Sequence, residues 1–460
     1  MPLPSRPALI GAIAVLALTS CGTGTGSGTG SGTGTGVTLT IAANSIEGGK
    51  NSETAQWIKQ WVIPEFERTH PDVKVLFQPS GVDDEQYKTK LALDLKAKAG
   101  ADVIDLDGIW VGEFAQAGYI KPLAEVGGAT VEQWEGWAQI PQAVQGLGIF
   151  DGKKYGLPQG TDGRVLFYNR TLFKKAGLPE TWQPRSWQEI VDAGTRLKAA
   201  GVPVPIQINA GTAMGEATTM QGVLPLLAGA GAEIYAGGKW AGASQAMKDV
   251  LGFYRQIYGG SGLGDPRLQQ EAKGRDKSFT QFAEGRIGIL AESDYFWRSV
   301  IEPQAGVAPM KDRDQAVGYA KIPARQPGAG IRGQDFVSMS GGAVRVLNPF
   351  SKNPRAAWNL LAFMHSAAAT KSQLAGQVRI SSRADVNDEV LPADPMLKYI
   401  ADEILPLTAY RPGLAVYPQV SAALQEATAA VVSGTGADEA AIAYQGELEE
   451  LVGGAANIGG

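Results

Sequence analysis

Polar side chains follow three predicted strands near the start of the chain, and they are the first residues that could bind a polar ligand. Asn44 and Glu47 come after the first strand, Ser80 after the second and Asp107 after the third. Amides, hydroxyls and carboxylates form directional hydrogen bonds with ligand hydroxyls, and charged groups form the stronger ones. In open α/β sheets, ligands bind beyond the carboxyl ends of the strands. We therefore expect these side chains to face a ligand-binding cleft.

Three aspartates, Asp107, Asp162 and Asp294, raise catalysis as an alternative, because glycosidases use a pair of carboxylates at a set separation. No Gly-x-Ser-x-Gly nucleophile motif is present in the sequence. Residues 328–333 fit a dinucleotide-binding pattern by their letters, but they follow a proline-rich stretch rather than a strand. With two histidines and one cysteine, the chain also offers little for a zinc site. We predict a binding protein without a catalytic residue, cofactor or metal.

The elements that would position these residues alternate between strands and helices. Residues 37–42, 73–77 and 101–106 are short and rich in apolar and β-branched side chains, which is typical of buried strands. Residues 84–98 carry apolar side chains at a spacing of four, which predicts a helix before the last of these strands. This alternation indicates a parallel sheet covered by helices, so the predicted fold class is α/β.

The same reasoning extends the prediction along the rest of the chain, where the C-terminal third is expected to be mostly helical. Further strands are predicted at 165–168, 204–208, 287–291 and 342–347. Further helices are predicted at 187–200, 244–258 and 354–366.

Residues 1–20 have the composition of a lipoprotein signal peptide. Arg6 precedes the apolar stretch 8–18, which is too short to span a bilayer as a helix. Cys21 follows a Leu-Thr-Ser sequence that resembles a bacterial lipobox, so we expect cleavage before Cys21 and lipidation of its thiol. The following glycine, threonine and serine residues, which complete the segment 21–36, predict a flexible tether with a reach of roughly 20 Å. The predicted location is the extracytoplasmic face of the cell membrane.

Charge and cysteine content narrow the class of protein further. The formal net charge is −5 and no basic stripe stands out, which argues against nucleic acid as a partner. The single cysteine excludes an intramolecular disulfide, so burial of a core has to stabilise the fold. Residues 37–460 are long enough for two domains of about 100–200 residues each.

Several blocks of the folded part resemble one protein family, in the order in which that family carries them. The blocks include Ala101-Asp-Val-Ile-Asp-Leu-Asp107, Gly152-Lys-Lys-Tyr155-Gly-Leu-Pro158, Leu166-Phe-Tyr168-Asn169, Phe282-Ala-Glu-Gly285, Ser351-Lys-Asn353-Pro354 and Arg411-Pro412. Over nearly all of residues 37–450 the chain resembles family 1 extracellular solute-binding proteins, the maltose-binding-protein-like receptors of sugar ABC importers. The anchor at Cys21 is similar to that of the actinobacterial lipoprotein type.

The resemblance implies two α/β lobes that close on a ligand about a hinge of crossing segments. It predicts an N-terminal lobe formed by 37–158 and 295–347, and a C-terminal lobe formed by 159–294 and 348–460. The chain would cross between the lobes just after Pro158, again at about 295–301, and a third time after about Leu347.

The resemblance also extends the list of candidate ligand-binding residues, to which the polar loop 207–216 adds two. The added candidates are Asp162, Asn209, Glu216, Asp294, Tyr295, Trp297, Gly341, Gly342 and Arg411. Tyr295 and Trp297 would stack on sugar faces, and Arg411 would bind ligand hydroxyls. The extra acid Asp294 favours a hydroxyl-rich or cationic ligand over an anionic one.

Each candidate has a structural alternative. Asp107 could cap the helical turn that follows it, and Asp162 could form a turn in Thr-Asp-Gly. Tyr295 and Trp297 could belong to the core of the hinge, and Arg411 could lie on the surface. Half of the residues placed by their position after a strand are expected to miss the site.

The sequence therefore predicts a monomeric substrate-binding lipoprotein of an ABC importer. It would capture a di- or oligosaccharide, with a trehalose- or maltose-like sugar as the leading ligand, and deliver it to permease subunits in the membrane. A carbohydrate-active enzyme is one alternative. A surface module that binds a protein or a lipid is another, and it would present a flat apolar patch instead of a cleft.

Overall fold

The computed structural model describes residues 36–82, 84–304 and 306–459. The predicted signal peptide, Cys21 and the tether up to residue 35 lie outside the described residues, so cleavage and lipidation stay predictions. Among the described helices, none is long and apolar enough to cross a membrane.

The strands form two main sheets, one in each lobe, with smaller sheets beside them. Within the described residues they are β1 (Val37–Ala43), β2 (Val73–Pro79), β3 (Val103–Asp107), β4 (Ile149–Phe150), β5 (Lys153–Lys154), β6 (Gly156–Pro158), β7 (Arg164–Asn169), β8 (Val204–Gln207), β9 (Tyr235–Ala236), β10 (Lys239–Ala241), β11 (Ile287–Ser293), β12 (Val317–Ala320), β13 (Ile322–Pro323), β14 (Phe336–Ser340), β15 (Ala343–Leu347), β16 (Thr408–Tyr410) and β17 (Ile458–Gly459).

Helices cover both main sheets. They are α1 (Ser52–Trp57), α2 (Ile63–Thr69), α3 (Asp84–Lys96), α4 (Val111–Gln116), α5 (Leu123–Gly127), α6 (Gln142–Gln145), α7 (Arg170–Lys175), α8 (Trp187–Ala199), α9 (Glu216–Thr218), α10 (Leu224–Gly229), α11 (Gln245–Tyr258), α12 (Gly274–Ala283), α13 (Arg313–Ala316), α14 (Pro354–Met364), α15 (Ala367–Leu374), α16 (Ala384–Val390), α17 (Pro395–Tyr399), α18 (Tyr417–Val432) and α19 (Ala437–Val452). Wider π-helical turns at Ile58–Val62, Thr219–Val223, Phe296–Val300 and Ile400–Ile404 adjoin several of them.

The first lobe is built on a five-stranded sheet in the order β2-β1-β3-β15-β6. β1 pairs with β2 and β3 in parallel, while β15 runs antiparallel between β3 and β6. Its core includes Leu39 and Ile41 of β1, which are fully buried, because the short apolar strands predicted from the sequence are covered by helices. The carboxyl ends of β1 and β3 lie at the same edge of this sheet, since the two strands are parallel.

The second lobe is built on a four-stranded sheet in the order β12-β7-β11-β8. Apolar side chains pack on both of its faces, so β7 and β11 are buried along their whole lengths. Side-chain oxygens of Asn169, Ser186 and Ser244 accept hydrogen bonds from backbone amides at the starts of α7, α8 and α11. Such caps contribute about 1 kcal/mol each.

The division of the chain between the lobes differs from the predicted one. Residues 295–340 do not return to the first lobe, because β12 pairs with β7 in the second-lobe sheet. Only β15 returns, and it is followed by α14, whose buried face packs in the first-lobe core. α15 also contributes to that core, so the predicted start of the last C-terminal-lobe segment at residue 348 is wrong.

Three short segments connect the lobes, and we call them the hinge segments. The first, 159–163, joins β6 to β7, and the second, 341–342, joins β14 to β15. The third, 375–379, leads from α15 in the first-lobe core to Ile380, which is buried in the core of the second lobe. The predicted crossing after Pro158 lies at the first hinge segment, whereas the crossing predicted at 295–301 is wrong.

A buried charged cluster lies under the first hinge segment. Arg345 is 1 % exposed, and its guanidinium binds Asp105 Oδ1 at 2.9 Å and Gln159 Oε1 at 2.8 Å. His365 Nε2 lies 3.4 Å from Arg345 Nη1, and the His365 carbonyl accepts a hydrogen bond from Arg383. Burial, together with the charges of these two arginines, holds the pKa of His365 well below its ordinary value.

This histidine predicts part of the pH dependence of stability. Because its pKa is lowered in the folded state, His365 stabilises the fold above its ordinary pKa of 6.5, and that contribution is lost as the pH falls. Between pH 6.5 and about 5 the fold therefore loses stability as the pH falls. We expect the variant His365→Gln to lack this loss when urea unfolding is followed across that range. Parallel pH profiles of variant and wild type would contradict the prediction.

Candidate functional site

A cavity of about 240 Å³ opens at the carboxyl ends of β1 and β3, where the sequence placed the binding cleft. We call it the first-lobe cavity. It is lined by Asn44, Ser45, Asn51, Thr54, Asp84, Tyr87, Asp105, Leu106, Asp107, Trp110, Gln159, Ala343 and Arg379. Carboxylates, amides, hydroxyls, a guanidinium and an indole therefore face one space, which is the mixture that holds small polar ligands.

Asp107 is the predicted residue with the clearest place in this cavity. It ends β3, and its Oδ1 accepts a hydrogen bond from Ile109 N at 3.1 Å, so the capping alternative is also realised. Its side chain is 42 % exposed, which leaves the carboxylate accessible from the cavity. The cavity walls reduce its hydration and raise the pKa of Asp107 above its ordinary value, while Arg411 acts in the opposite direction.

Arg411 connects the two lobes through their carboxylates. It follows β16 in the second lobe, and its Nη2 lies 3.7 Å from Asp107 Oδ1 of the first lobe. Its Nη1 donates to Glu216 Oε1 at 2.9 Å, and Glu216 also accepts hydrogen bonds from Tyr417 and Ser421. Burial by itself would lower the pKa of Arg411, but the two carboxylates raise it above its ordinary value. The structure thus brings together three predicted residues at the interface between the lobes.

Asp162 lies in the first hinge segment and binds the second one. Its Oδ1 accepts a hydrogen bond from Gly341 N at 2.7 Å and forms an ion pair with Arg164. Burial opposes the charged form, but the Arg164 charge and the Gly341 amide hold the pKa of Asp162 below its ordinary value. A Cβ at Gly342 would meet the Gly160 carbonyl oxygen at 2.4 Å. The glycine at position 342 is therefore needed for the close approach of two hinge segments.

Asn44 faces the cavity with an unused acceptor. Its Nδ2 donates to the Val82 carbonyl at 3.0 Å and to Asp84 Oδ1 at 3.1 Å, which fixes the amide. Its Oδ1 is buried and has no hydrogen-bond partner among the described residues. A buried acceptor without a partner is costly, so this oxygen is suited to accept a hydrogen bond from a ligand.

Two residues predicted from their position after a strand do not line the first-lobe cavity. The Glu47 carboxylate is exposed and pairs with Lys59 Nζ at 2.5 Å. The backbone amide of Ser80 continues the β1–β2 pairing by donating to the Ala43 carbonyl at 3.0 Å, and its side chain is not part of the cavity wall. Ser80 misses the cavity because β2 lies at the edge of the sheet, away from β3, whereas Glu47 lies four residues beyond the end of β1 and pairs with Lys59 instead.

Asn209 and Asp294 are buried inside the second lobe. Asn209 is fully buried, and its amide donates to Glu292 Oε1 at 3.3 Å. Asp294 is 1 % exposed and binds Gly163 N and Arg298 Nε at 3.0 Å each. Burial, with the nearby Asp162 charge, raises the pKa of Asp294 despite Arg298. These contacts stabilise the lobe and its junction with the first hinge segment, which corrects the prediction of ligand contact.

The predicted stacking aromatics also lie elsewhere. Trp297 is 4 % exposed, its Nε1 donates to the Asp394 carboxylate at 3.2 Å, and the Arg313 guanidinium lies 3.9 Å from its ring centre. It is part of the second-lobe core, so its side chain is structural, although the predicted alternative was the core of the hinge. Tyr295 is 36 % exposed, with Arg298 5.6 Å from its ring, but it does not line the first-lobe cavity.

Eleven of the thirteen lining residues, all except Asn44 and Asp107, were not among the predicted site residues. Tyr87 was assigned to the apolar face of α3, yet its hydroxyl donates to the Asp105 carbonyl at 3.1 Å beside the cavity. Trp110 and Gln159 directly follow β3 and β6, so the position after a strand could have identified them. Arg379 had no sequence signal, because it lies in a connection between lobes rather than after a strand.

The donor set does not suit a metal. Within the part of the chain that the structure describes, no group of three or more histidine, cysteine, aspartate or glutamate side chains could hold a metal ion. The aspartates of the first-lobe cavity are instead placed beside cations, as Asp84 is beside Lys50 at 2.6 Å and Asp105 beside Arg345.

Residues 49–371 match the bacterial extracellular solute-binding protein family. The chain belongs to this family. A binding protein of Brucella abortus is 25 % identical over 364 residues, which cover 78 % of this chain and 76 % of the relative. The resemblance seen in the sequence is thereby confirmed.

Solved structures of this kind share the fold. An ABC transporter solute-binding protein from Thermotoga lettingae, bound with α-D-tagatose, is 25 % identical with a TM-score of 0.69, covering 90 % of this chain and 100 % of that one. The sugar-binding protein MalE from Xanthomonas citri is 18 % identical with a TM-score of 0.73, covering 91 % and 98 %. The predicted two-lobed α/β fold is confirmed. Because the family and these neighbours are solute-binding proteins, this member is a binding protein and not an enzyme.

Proposed function

We propose that this family member is the substrate-binding component of an ABC importer and captures a hydroxyl-rich solute between its lobes. A di- or oligosaccharide is the proposed ligand, with trehalose- and maltose-like sugars as the first to test. The observation that supports this proposal is the first-lobe cavity, whose accessible Asp107 carboxylate lies at the meeting point of both lobes. The solved neighbour that holds tagatose is a sugar-bound protein of the same architecture.

The chemistry of the cavity supports a polar ligand over an apolar surface. Asp107 and the unpartnered Asn44 oxygen are acceptors for ligand hydroxyls, and Trp110 offers an apolar ring beside them. A sugar needs both kinds of contact, because its hydroxyls form hydrogen bonds while its C–H faces pack on apolar walls. A module that binds a flat protein or lipid surface would have no use for a recessed set of acceptors.

Membrane attachment and delivery complete the proposal. Lipidation at Cys21 would keep the receptor at the extracytoplasmic face, and the tether would let the folded part turn towards permease subunits. Both statements rest on the sequence of residues 1–36 and on the family, whose members are extracellular solute-binding proteins.

A thermal-shift screen tests the proposed function. A ligand that binds only the folded state stabilises it by about 2.7 kcal/mol at a concentration 100 times the Kd, and the apparent melting temperature rises as a result. The panel is trehalose, maltose, maltotriose and glucose, with amino acids and inorganic anions as other solute classes. We expect a shift with at least one sugar. Shifts with amino acids or simple anions alone would overturn the proposal.

Asp107 predicts a specific loss of affinity. Replacing Asp107 with asparagine removes a charged acceptor, and hydrogen bonds to charged groups contribute about 1.5–3 kcal/mol. We expect the Kd of a sugar identified by the screen to rise at least about tenfold in calorimetric titration. Glu47→Gln, which removes a first-lobe carboxylate outside the cavity, is the matched control and should bind as the wild type does. Equal affinity of Asp107→Asn and the control would remove Asp107 from the site.

A further inference from the structure

Arg379 lines the first-lobe cavity without forming an ion pair with another described residue. It is the only cationic side chain among the described residues of the cavity wall. It forms no hydrogen bond or ion pair with any other described residue through its side chain, and it is only partly exposed. Other arginines around the hinge differ in this respect, since Arg345 binds Asp105 and Arg298 binds Asp294.

The surroundings of Arg379 make an unpaired cation costly. Burial, followed by the positive charges of Arg298 and Arg345, lowers the pKa of Arg379 to about 10. Asp105 and Glu53 act on it only at longer range, because neither forms an ion pair with it. A buried charge is normally paired, and leaving one uncompensated is unfavourable. An anionic group in the cavity would supply the missing partner.

Two other residues of the cavity wall call for hydrogen-bond donors. The Asn44 oxygen, on a residue that is 8 % exposed, has no donor. The Asp107 carboxylate is accessible and shares its cation, Arg411, with Glu216 of the second lobe. Hydroxyl groups satisfy such acceptors, whereas a second anionic group there would face a carboxylate. The cavity wall therefore combines one cation, which could bind an anion, with acceptors for hydroxyls.

We propose that Arg379 determines specificity by binding a carboxylate or phosphate group on a sugar whose hydroxyls face Asn44 and Asp107. This inference rests on the proposed function and narrows its ligand class to acidic or phosphorylated sugars. The cavity of about 240 Å³ holds one sugar unit, since sites for larger drug-sized ligands have about 300–1,000 Å³. A second unit of a disaccharide would extend towards Arg411 and the second lobe.

This ligand class replaces the preference that the sequence suggested. In the sequence, Asp294 favours a hydroxyl-rich or cationic ligand over an anionic one. In the structure it is 1 % exposed and paired with Arg298, so it does not act as a free negative charge at the cavity. Arg379 also differs from Arg411, because Arg411 already has two carboxylates and Arg379 has none.

The experiment compares matched sugars that differ in one charged group. Calorimetric titrations of the full folded chain use glucose, glucuronate and glucose 6-phosphate, and then trehalose against trehalose 6-phosphate. We expect at least one charged sugar to bind at least about tenfold more tightly than its neutral partner. Comparing glucuronate with the two sugar phosphates shows whether the anionic group that Arg379 prefers is a carboxylate or a phosphate.

Variants then assign the preference to Arg379. Arg379→Gln should lose at least about tenfold in affinity for the charged sugar and leave affinity for the neutral partner within about twofold. Arg379→Lys keeps a charge without the planar guanidinium and should retain part of the preference, which guards against a folding defect. Arg267→Gln, at an exposed arginine paired with Asp265, is the matched control.

Two outcomes would overturn the inference. Only one of them would also overturn the proposed function. Tight binding of neutral sugars, with no gain from a charged group and no effect of Arg379→Gln, would overturn the inference and leave the proposed function standing. Absence of binding by every sugar in both arms, neutral or charged, would overturn the proposed function as well.

Discussion

Replacing Arg345 with methionine is expected to lower the free energy of unfolding by about 3–5 kcal/mol, because the Asp105 carboxylate would remain buried without its cation. The guanidinium binds Asp105 and Gln159, and it also lies 5.0 Å from the centre of the Trp57 ring. Its side chain is 1 % exposed and Asp105 is 12 % exposed, so water can replace only a small part of the lost contacts. Urea unfolding followed by tryptophan fluorescence measures the loss.

Two further variants make the result interpretable. Lys398→Met removes an ion pair of similar length, 2.6 Å to Asp402, whose side chains are 41 % and 48 % exposed. Exposed pairs of this kind contribute about 0–1 kcal/mol. The double variant Arg345→Met with Asp105→Leu removes both buried charges and should recover at least half of the stability lost by the single variant. A loss from Arg345→Met no larger than that from Lys398→Met would contradict the prediction.

Replacing Arg411 with alanine is expected to weaken the attachment of the lobes to each other by about 1 kcal/mol, because the ion pair that it forms across the interface is 3.7 Å long and its partner Asp107 is partly exposed. Arg411 is the residue through which Glu216 of the second lobe and Asp107 of the first share one cation. Without it, two carboxylates would face each other across the interface. We expect a larger radius of gyration in small-angle X-ray scattering of the unliganded variant.

The control for this variant is an arginine that stays within one lobe. Arg332 donates to the carbonyls of Leu407 and Thr408, all in the second lobe. Arg332→Ala should therefore leave the radius of gyration unchanged. Identical scattering of Arg411→Ala and wild type would show that the shared cation does not hold the lobes in their observed relation.

The elements of the fold could be predicted because their signals are local. The β-branched stretch of β1, the spacing of apolar residues in α3 and the cap before α8 act within a few residues of the chain. The assignment of elements to lobes was less successful, because strand pairing is not local. β12 and β15 have similar apolar sequences, and only their pairing partners place one in each lobe.

The sequence predicted those cavity residues that lie at the ends of strands. It missed those that lie in the connections between the lobes. Asp107 lines the cavity because it ends β3, and Asn44 does so because it directly follows β1. Trp297 is an aromatic residue that could stack on a sugar. Its indole N–H instead donates to Asp394, ninety-seven residues later in the chain, and its ring packs in the core. Arg379 is identified because it lines the cavity without forming an ion pair, and ion pairs between distant residues cannot be read from the sequence.

The first-lobe sheet includes β15, which lies far along the chain from the other strands of that sheet, and this has a consequence for folding. β6 has its ladder partner only in β15, and Gln159 at its end bonds to Val344, 185 residues later in the chain. Closing so long a loop carries an entropic cost, and contacts of high sequence separation slow folding. The second lobe is likewise completed by α18 and α19 at the end of the chain. During synthesis the first lobe therefore cannot be completed before α15 has been made, and the second lobe cannot be completed before α19.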